Sequence, residues 1–556
     1  MHLAPVCRNR VSRRLDAECC RIPMMLAALA MSLLPAHPAL AKDAETTITI
    51  LHIADLHGQL DPHQELFLEN GKVVFRERGG LAHIKTLVDR ERQRNPGRTI
   101  LIDGGDLIQG DGYSVKTQGQ NMVEPVVALG YDMVVPGNWE VIYGKGQLLK
   151  PLSSFKATTV AENMYHADTM KPMFPGTWIK EVEGIRLGFM GINDPDVPTR
   201  QNPKMSEGIL FSEPDARLKQ RVDQFVAANS IDVMFIVSHL GAIKQVALAD
   251  SPISERVNYI LGNDTHERVR QPLQRKYAKV TEPGAFGTFV GKLDLYFKAG
   301  KLVGDRYDLI EVDPARFPAD PAMQDAIDRA KMPFKAEMTS VIGRTTTPLY
   351  RYMIVENPMD NLITDAFRWK TRTQIALSNG FRYGNPIVPE GGKPAPITVA
   401  NLYNMMPVNT KLKTGKVLGS NLREWLEAEI NNAFSPDPAQ RFGGYLVRFS
   451  GMQMRFEPSL PKGERIKSLR IGRKPIDLNA FYTVTAVVRG GAPDSDFNRL
   501  PNVQSVQEHA YTAHDAIREY LAKHDPVAPA LDGRAVSEEL GRQSFSTIPG
   551  TDYRFR

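Results

Sequence analysis

Between residues 46 and 312, short apolar runs stop again and again at a polar turn. TITILHIA (47–54) runs into DLHG, RTILID (98–103) into GGD, and YDMVV (131–135) into PGNWE. IRLGFMGI (185–192) runs into ND, DVMFIVS (232–238) into HLG, and VNYILG (257–262) into NDTHE. Runs of this length bounded by polar turns predict strands buried on both faces. GGLAHIKTLVDRERQR (79–94) has apolar residues at 81, 84, 87 and 88, the period of an amphipathic helix. The pattern is that of an α/β unit, whose ligands gather at the carboxyl ends of the strands.

The pattern changes at PARFPADP (314–321), where prolines precede the helical stretch AMQDAIDRAKMPFKAEM. From about residue 341 a second α/β unit opens, with a helix through NLITDAFRWKT, the strand QIALSNG and the helix GSNLREWLEAEINNAF. The expected organisation is an export segment (1–41), a first domain (42–312), a linker helix (313–340), a second domain (341–530) and a polar tail (531–556).

Composition alters the picture at the N-terminus. Arg8, Arg10, Arg13, Arg14 and Arg21 precede the apolar MMLAALAMSLLPA and then Ala39-Leu40-Ala41, the layout of a cleaved secretory signal ending before Lys42. Ser12-Arg13-Arg14 offers a twin-arginine route as the alternative. All three cysteines (Cys7, Cys19, Cys20) lie in this segment, so the mature chain has no thiolate ligand, nucleophile or disulfide. The segment carries five Arg and two acids, so its loss lowers the net charge from +6 to +3. That charge is too small to indicate nucleic acid as a partner. No later apolar run reaches the roughly 18 residues of a membrane span. A periplasmic location and a small anionic substrate are expected.

The polar residues ending the strands are Asp55 and His57, Asp106, Asn138, His239, and Asp264 and His266. Carboxylate, imidazole and amide oxygen are ligands for Mn, Zn, Mg or Fe. One carboxylate must bridge if two ions sit about 3.5 to 4 Å apart, and Asp106, in a GGD turn open to close approach, is the candidate. Asp-x-His or GGD alone would be an ordinary turn. Five such pieces, each ending an apolar run, point to a metal site.

DLHG, GGD, GNWE, SHLG and DTHE together resemble the five blocks of the calcineurin-like metallophosphoesterases, and more closely their exported 5'-nucleotidase branch. The resemblance implies a four-layer α/β/β/α metallophosphoesterase domain followed by a smaller α/β substrate domain, and two divalent ions, Mn first. It places Asp55, His57, Asp106 and His266 on one ion, and Asp106, Asn138, His239 and Asp264 on the other. Asp106 and Asn138 are also the catalytic candidates. Trp139 stands where the family's G-N-H-E has its proton-donating His, and Asp264 where G-H-T-H has its first His. Trp139 is expected to fill the loop under the ions, and Glu140 to support a ligand rather than act as the acid. GNWEVIYG and SNGFRYG are similar to a subgroup that contains the thiohydrolase of thiosulfate oxidation.

Of the family's Asn-Gly-Gly-Gly-Ile-Arg, Asn379, Gly380 and Arg382 remain, and Arg382 suits a bidentate grip on an oxyanion. The two base-stacking Phe positions read Val408 and the Phe-free stretch before Arg489. Phe381 and Tyr383 flank Arg382, either as a new platform or as packing on alternate faces of a strand edge. The expected activity is hydrolysis of a phosphomonoester by metal-activated water. The alternatives are release of sulfate from a thiosulfonate on a small periplasmic carrier protein, and a metal-containing binding protein without turnover.

Overall fold

The computed structural model describes residues 45–540 apart from 436, 438, 439 and 442–444. The expected export segment and the residues beyond 540 lie outside the described residues. Two six-stranded sheets form the first unit. One runs Lys301–Glu311, Phe289–Lys298, Glu45–Ile53, Thr99–Asp103, Met133–Val134, Thr158–Thr159; the other runs Leu273–Gln274, Lys279–Thr281, Tyr259–Gly262, Val233–Ser238, Ile185–Ile192, Thr177–Val182.

Strand alternation fixes the layers. Ile48, Ile50, Ile100 and Ile102 point between the sheets, where they meet Leu187, Phe189, Phe235, Val237 and Leu261. Phe189, Phe235 and Tyr259 stack in series there, at 4.7 and 5.3 Å between ring centres. The intervening residues Leu51, Ile53 and Leu101 face outward onto the helices Leu81–Arg94, Val123–Leu129 and Pro321–Lys331. Met190, Ile192, Met234, Ile236 and Ile260 cover the other outer face, under the helices Ala216–Asn229 and Ala242–Asp250. The result is four layers, α/β/β/α. Each fully buried Leu, Ile or Phe contributes about 1.5 to 3 kcal/mol, so this double-sided burial explains the near-continuous apolar runs.

The second unit is a smaller α/β domain. Its five-stranded sheet runs Arg448–Ser450, Ile375–Ser378, Phe481–Val487, Lys411–Leu418, Gln504–Thr512, and a four-stranded sheet follows. Two segments near the expected boundaries are held against the domains. The linker helix Pro321–Lys331, capped by Asp320 on the Met323 amide, inserts Met323 and Ile327 into the first unit's core. The tail is not free from 531, because Ala535–Val536 pairs parallel with Met454 and Arg455 of the strand Met452–Phe456. Among the described residues, no helix is long and apolar enough to cross a membrane.

Candidate metal centre

The strands Glu45–Ile53 and Thr99–Asp103 are parallel neighbours, so the loops leaving them meet at one edge. Backbone bonds tie these loops together: Asp55 N–H donates to Gly105 O (2.9 Å), His57 to Asp106 O (2.8 Å) and Gly58 to Leu107 O (3.0 Å). Five of the seven predicted ligands adopt left-handed backbone: Asp55 (φ 51°), His57 (53°), Asp106 (54°), Asp264 (84°) and His266 (58°). Each such residue costs on the order of 1 to 3 kcal/mol and persists only where the surroundings impose it. The glycine before Asn138 is obligatory, because a Cβ on Gly137 would lie 2.2 Å from Asp106 Oδ1 and 2.7 Å from His239 Cε1.

All seven predicted ligands converge on one site. Two groups of three have ligand atoms close enough to share an ion: Asp55, His57 and His266, and Asp55, Asp106 and His239. Asp55 belongs to both. Asp106 Oδ2 also lies between the two groups, 3.3 Å from His239 Nε2 and 3.8 Å from His57 Nε2. His57 Nε2 and His266 Nε2 are 3.1 Å apart. Asn138 Nδ2 donates to Asp264 Oδ1 (2.9 Å), and the Asp264 amide faces Asp55 Oδ2 at 3.1 Å.

The residues fit a pair of divalent ions. Carbonyls of Gln109 (2.9 Å) and Gly104 (3.1 Å) face the Nδ1 atoms of His57 and His239. A carbonyl only accepts, so both rings keep a proton on Nδ1, which leaves Nε2 as the atom that would face an ion. His239 Nε2 and Asn138 Oδ1 are buried without a hydrogen-bond partner. Burial pushes the Asp55 carboxyl well up, whereas His239, despite its burial, is drawn well above the ordinary histidine value by Asp106, Asp55 and Asp264. Burial and the neighbouring His57 hold His266 well down. Three carboxylates gathered around one imidazole are a charge pattern that cations balance.

Glu140 supports the site. Its carboxylate accepts four backbone N–H groups, from Asp106 (2.9 Å), Leu107 (2.5 Å), Ile108 (3.2 Å) and Gly137 (2.6 Å). It therefore fixes the turn that carries Asp106 against the loop that carries Asn138. Trp139 does not lie beneath the ligands. Its indole stacks on Tyr383 of the second unit (5.4 Å, 14°), touches Phe381 and meets His57 edge-on (5.1 Å). Phe381 and Tyr383 stack on each other at 5.0 Å instead of taking alternate faces. Over Asp106, His57 and His266 these rings leave a cavity of about 40 Å³, also lined by Arg200, Arg382 and Tyr445. Arg382 already holds Thr265 O (2.9 Å) and Glu267 (2.8 Å) across the two units. Asn379, beside it, is exposed, while Gly380 packs against Leu446 O and Arg448.

Sequence reasoning missed Arg200, which contacts both oxygens of Asp264. Its signal was positional: NDPDVPTR leaves the strand Ile185–Ile192 at the same sheet edge as the ligands.

Residues 48–268 match the calcineurin-like phosphoesterase family, and residues 341–487 the 5'-nucleotidase C-terminal domain. The 5'-nucleotidase of Vibrio parahaemolyticus is 21% identical over 88% of this chain and 92% of its own length. Endonuclease YhcR of Bacillus subtilis is 24% identical over 71% of this chain, which spans only 34% of that longer protein. The sulfate thiohydrolase SoxB of Thermus thermophilus shares the fold with a TM-score of 0.79, at 21% identity over 91% of this chain and 98% of that one. With both domains matched in order and two His/Asp groups at their junction, the chain is a metal-dependent hydrolase that belongs to the calcineurin-like metallophosphoesterase/5'-nucleotidase family.

Proposed function

We propose that the protein is an exported, periplasmic hydrolase that cleaves a phosphomonoester with a good leaving group. The observation that carries this is a cavity with metal-ligating side chains on its floor and two guanidiniums, Arg200 and Arg382, in its wall. Asp55, His57, Asp106 and His266 would hold one ion, and Asp106, Asn138 and His239 the other, Mn first and Zn, Mg or Fe as alternatives. When bound, such a pair supplies Lewis acidity to an oxyanion and acidifies a water. Asp106 joins the two halves of the site, and Asn138 presents its amide oxygen. Arg382 would exchange Glu267 for the substrate's oxyanion, assisted by Asn379 and Gly380 in the same turn. Trp139, Phe381 and Tyr383 exclude bulk water.

Trp139 decides the leaving group. Its indole donates a hydrogen bond but has no acidic proton to give an alkoxide. Esters that expel a stable anion should therefore react, and a nucleoside 5'-alkoxide poorly. The same observation favours a second reading, in which the departing group is sulfur. A thiol's pKa of about 8.5 lets it leave without an acid, as in release of sulfate from a thiosulfonate on a small carrier.

The test is hydrolysis of p-nitrophenyl phosphate, bis(p-nitrophenyl) phosphate and AMP by protein stripped and reloaded with Mn, Zn or Mg. Asp106→Ala serves as the control. Metal-dependent cleavage of p-nitrophenyl phosphate, faster than AMP and lost in the variant, is expected. Bound metal with no hydrolysis of any ester would remove the phosphatase reading and leave the sulfur substrate to be assayed.

A further inference from the structure

We propose that Asp264 is not a metal ligand but an anchored acceptor that aims Asn138, and that Arg200 is the positioning residue that keeps it there. The inference rests on the two-ion reading above and sharpens it.

Both oxygens of Asp264 are engaged by protein, Oδ1 twice and Oδ2 once. Arg200 Nη1 donates to its Oδ2 (3.2 Å), and Nη2 lies 3.0 Å from its Oδ1. Oδ1 also accepts Asn138 Nδ2 at 2.9 Å. A carboxylate oxygen has about two lone-pair sites, so Oδ1, the atom 3.8 Å from His239 Nε2, already has a donor for each. Neither of the two close groups of potential ligands includes Asp264.

Arg200 is itself held. Nη1 also donates to Asp194 Oδ2 at 2.6 Å, and Asp194 is fully buried. Asp194 Oδ1 accepts the Asp196 amide (3.0 Å), which fixes the loop leading to the short helix Val197–Arg200. The next residue, Gln201, donates to the Asn138 carbonyl at 2.7 Å. One segment therefore grips Asn138 twice, directly through Gln201 and indirectly through Arg200 and Asp264. The orientation of the amide follows. Its oxygen cannot face a carboxylate oxygen without repulsion, so Nδ2 must point to Asp264. That leaves Oδ1 buried and without a protein partner.

The guanidinium is shared by Asp264 and the buried Asp194, so it offsets the Asp264 charge only in part. The exchange of His for Asp therefore removes a neutral ligand and leaves a carboxylate that is held by Arg200. One ion keeps four protein side chains, Asp55, His57, Asp106 and His266. The other keeps three, Asp106, Asn138 and His239, with an open position beside Arg200. The two ions should bind unequally, the second at least tenfold more weakly.

Anomalous diffraction from manganese-loaded crystals of the whole chain tests this directly. Asp264 is expected to remain on Arg200, out of bonding range of both ions, with Asn138 Oδ1 bonded. An Asp264 oxygen within about 2.2 Å of an ion would overturn the inference while leaving the two-ion reading intact. Crystals that take up no manganese would overturn both. In solution, calorimetric titration with Mn should show a strong and a weak site, and Asp264→His should tighten the weak site at least tenfold by restoring a ligand. A change below about threefold would mean that one ligand had replaced another, and the inference would fall.

Discussion

Glu140 carries more of the site's geometry than any ligand does, since one side chain satisfies four amides from two loops. Burial and the nearby Asp106 push its carboxyl up to about 7. Glu140→Gln keeps the volume but offers only one acceptor oxygen, and turns an N–H₂ group toward amide donors. Each amide left unpaired costs about 1 to 3 kcal/mol, and loss of a residue that orients ligands weakens metal binding about 10- to 100-fold. Calorimetric Mn titration and thermal melts of the variant should show both effects; unchanged affinity would mean that the turn holds itself. Glu140 was legible as a support because it sits beside Asn138 in sequence. The residues that converge at the sheet edge were legible because each follows an apolar run. Arg200 was not, because its role exists only through contact with Asp264, 64 residues away. Trp139 was read as local filler because its main partner, Tyr383, belongs to the other unit.

Among the elements, the buried strands were plain in the sequence because both of their faces meet apolar layers, and Val233–Ser238 is buried at every position. The hairpin Pro62–Glu69 and Lys72–Gly79 was not picked out, since exposed polar residues interrupt its alternation. Its one clear signal was Asn70-Gly71, where both residues take positive φ as a tight hairpin turn demands. Loop geometry is the most fragile feature at this scale. Gly137 lets the Asn138 loop touch the Asp106 turn, and a methyl there would sit 2.3 Å from the Asp106 amide nitrogen, on rigid backbone. Gly137→Ala should cost on the order of 3 kcal/mol and abolish binding of at least one ion. Melting curves and metal content of the purified variant check both. Full metal content with an unshifted melt would show that the loops can separate.

At the scale of the molecule, the site lies where two units meet. Its cavity of about 40 Å³ is small beside small-molecule pockets, which run to about 300 Å³ and beyond. Entry of a substrate should therefore involve some parting of the units. The contacts that resist parting are both apolar and polar: Trp139 and Phe286 pack on Tyr383, and Arg382 pairs with Glu267, Gln59 with Asn404 (2.9 Å) and Asn385 (2.8 Å), and Tyr352 Oη with Glu65 (3.2 Å). Glu65 makes this closure sensitive to acid. Burial alone would raise its carboxyl, but Arg268 at 2.6 Å and the neighbouring His63 outweigh that and hold it down to about 2, against an ordinary 4.5. An acid depressed in the folded state stabilises the fold above its unfolded pKa, and that contribution disappears as pH falls through the folded value. The window is thus about pH 4.5 down to 2, and the linked free energy is about 3 kcal/mol. Glu65→Gln should be less stable than the parent by about that amount near pH 6, and the two should converge as pH approaches 2. Urea midpoints measured across this range test the slope, and small-angle scattering tests whether the units separate with it. A gap between parent and variant that stays constant with pH would show that Glu65 acts through packing and not through its charge.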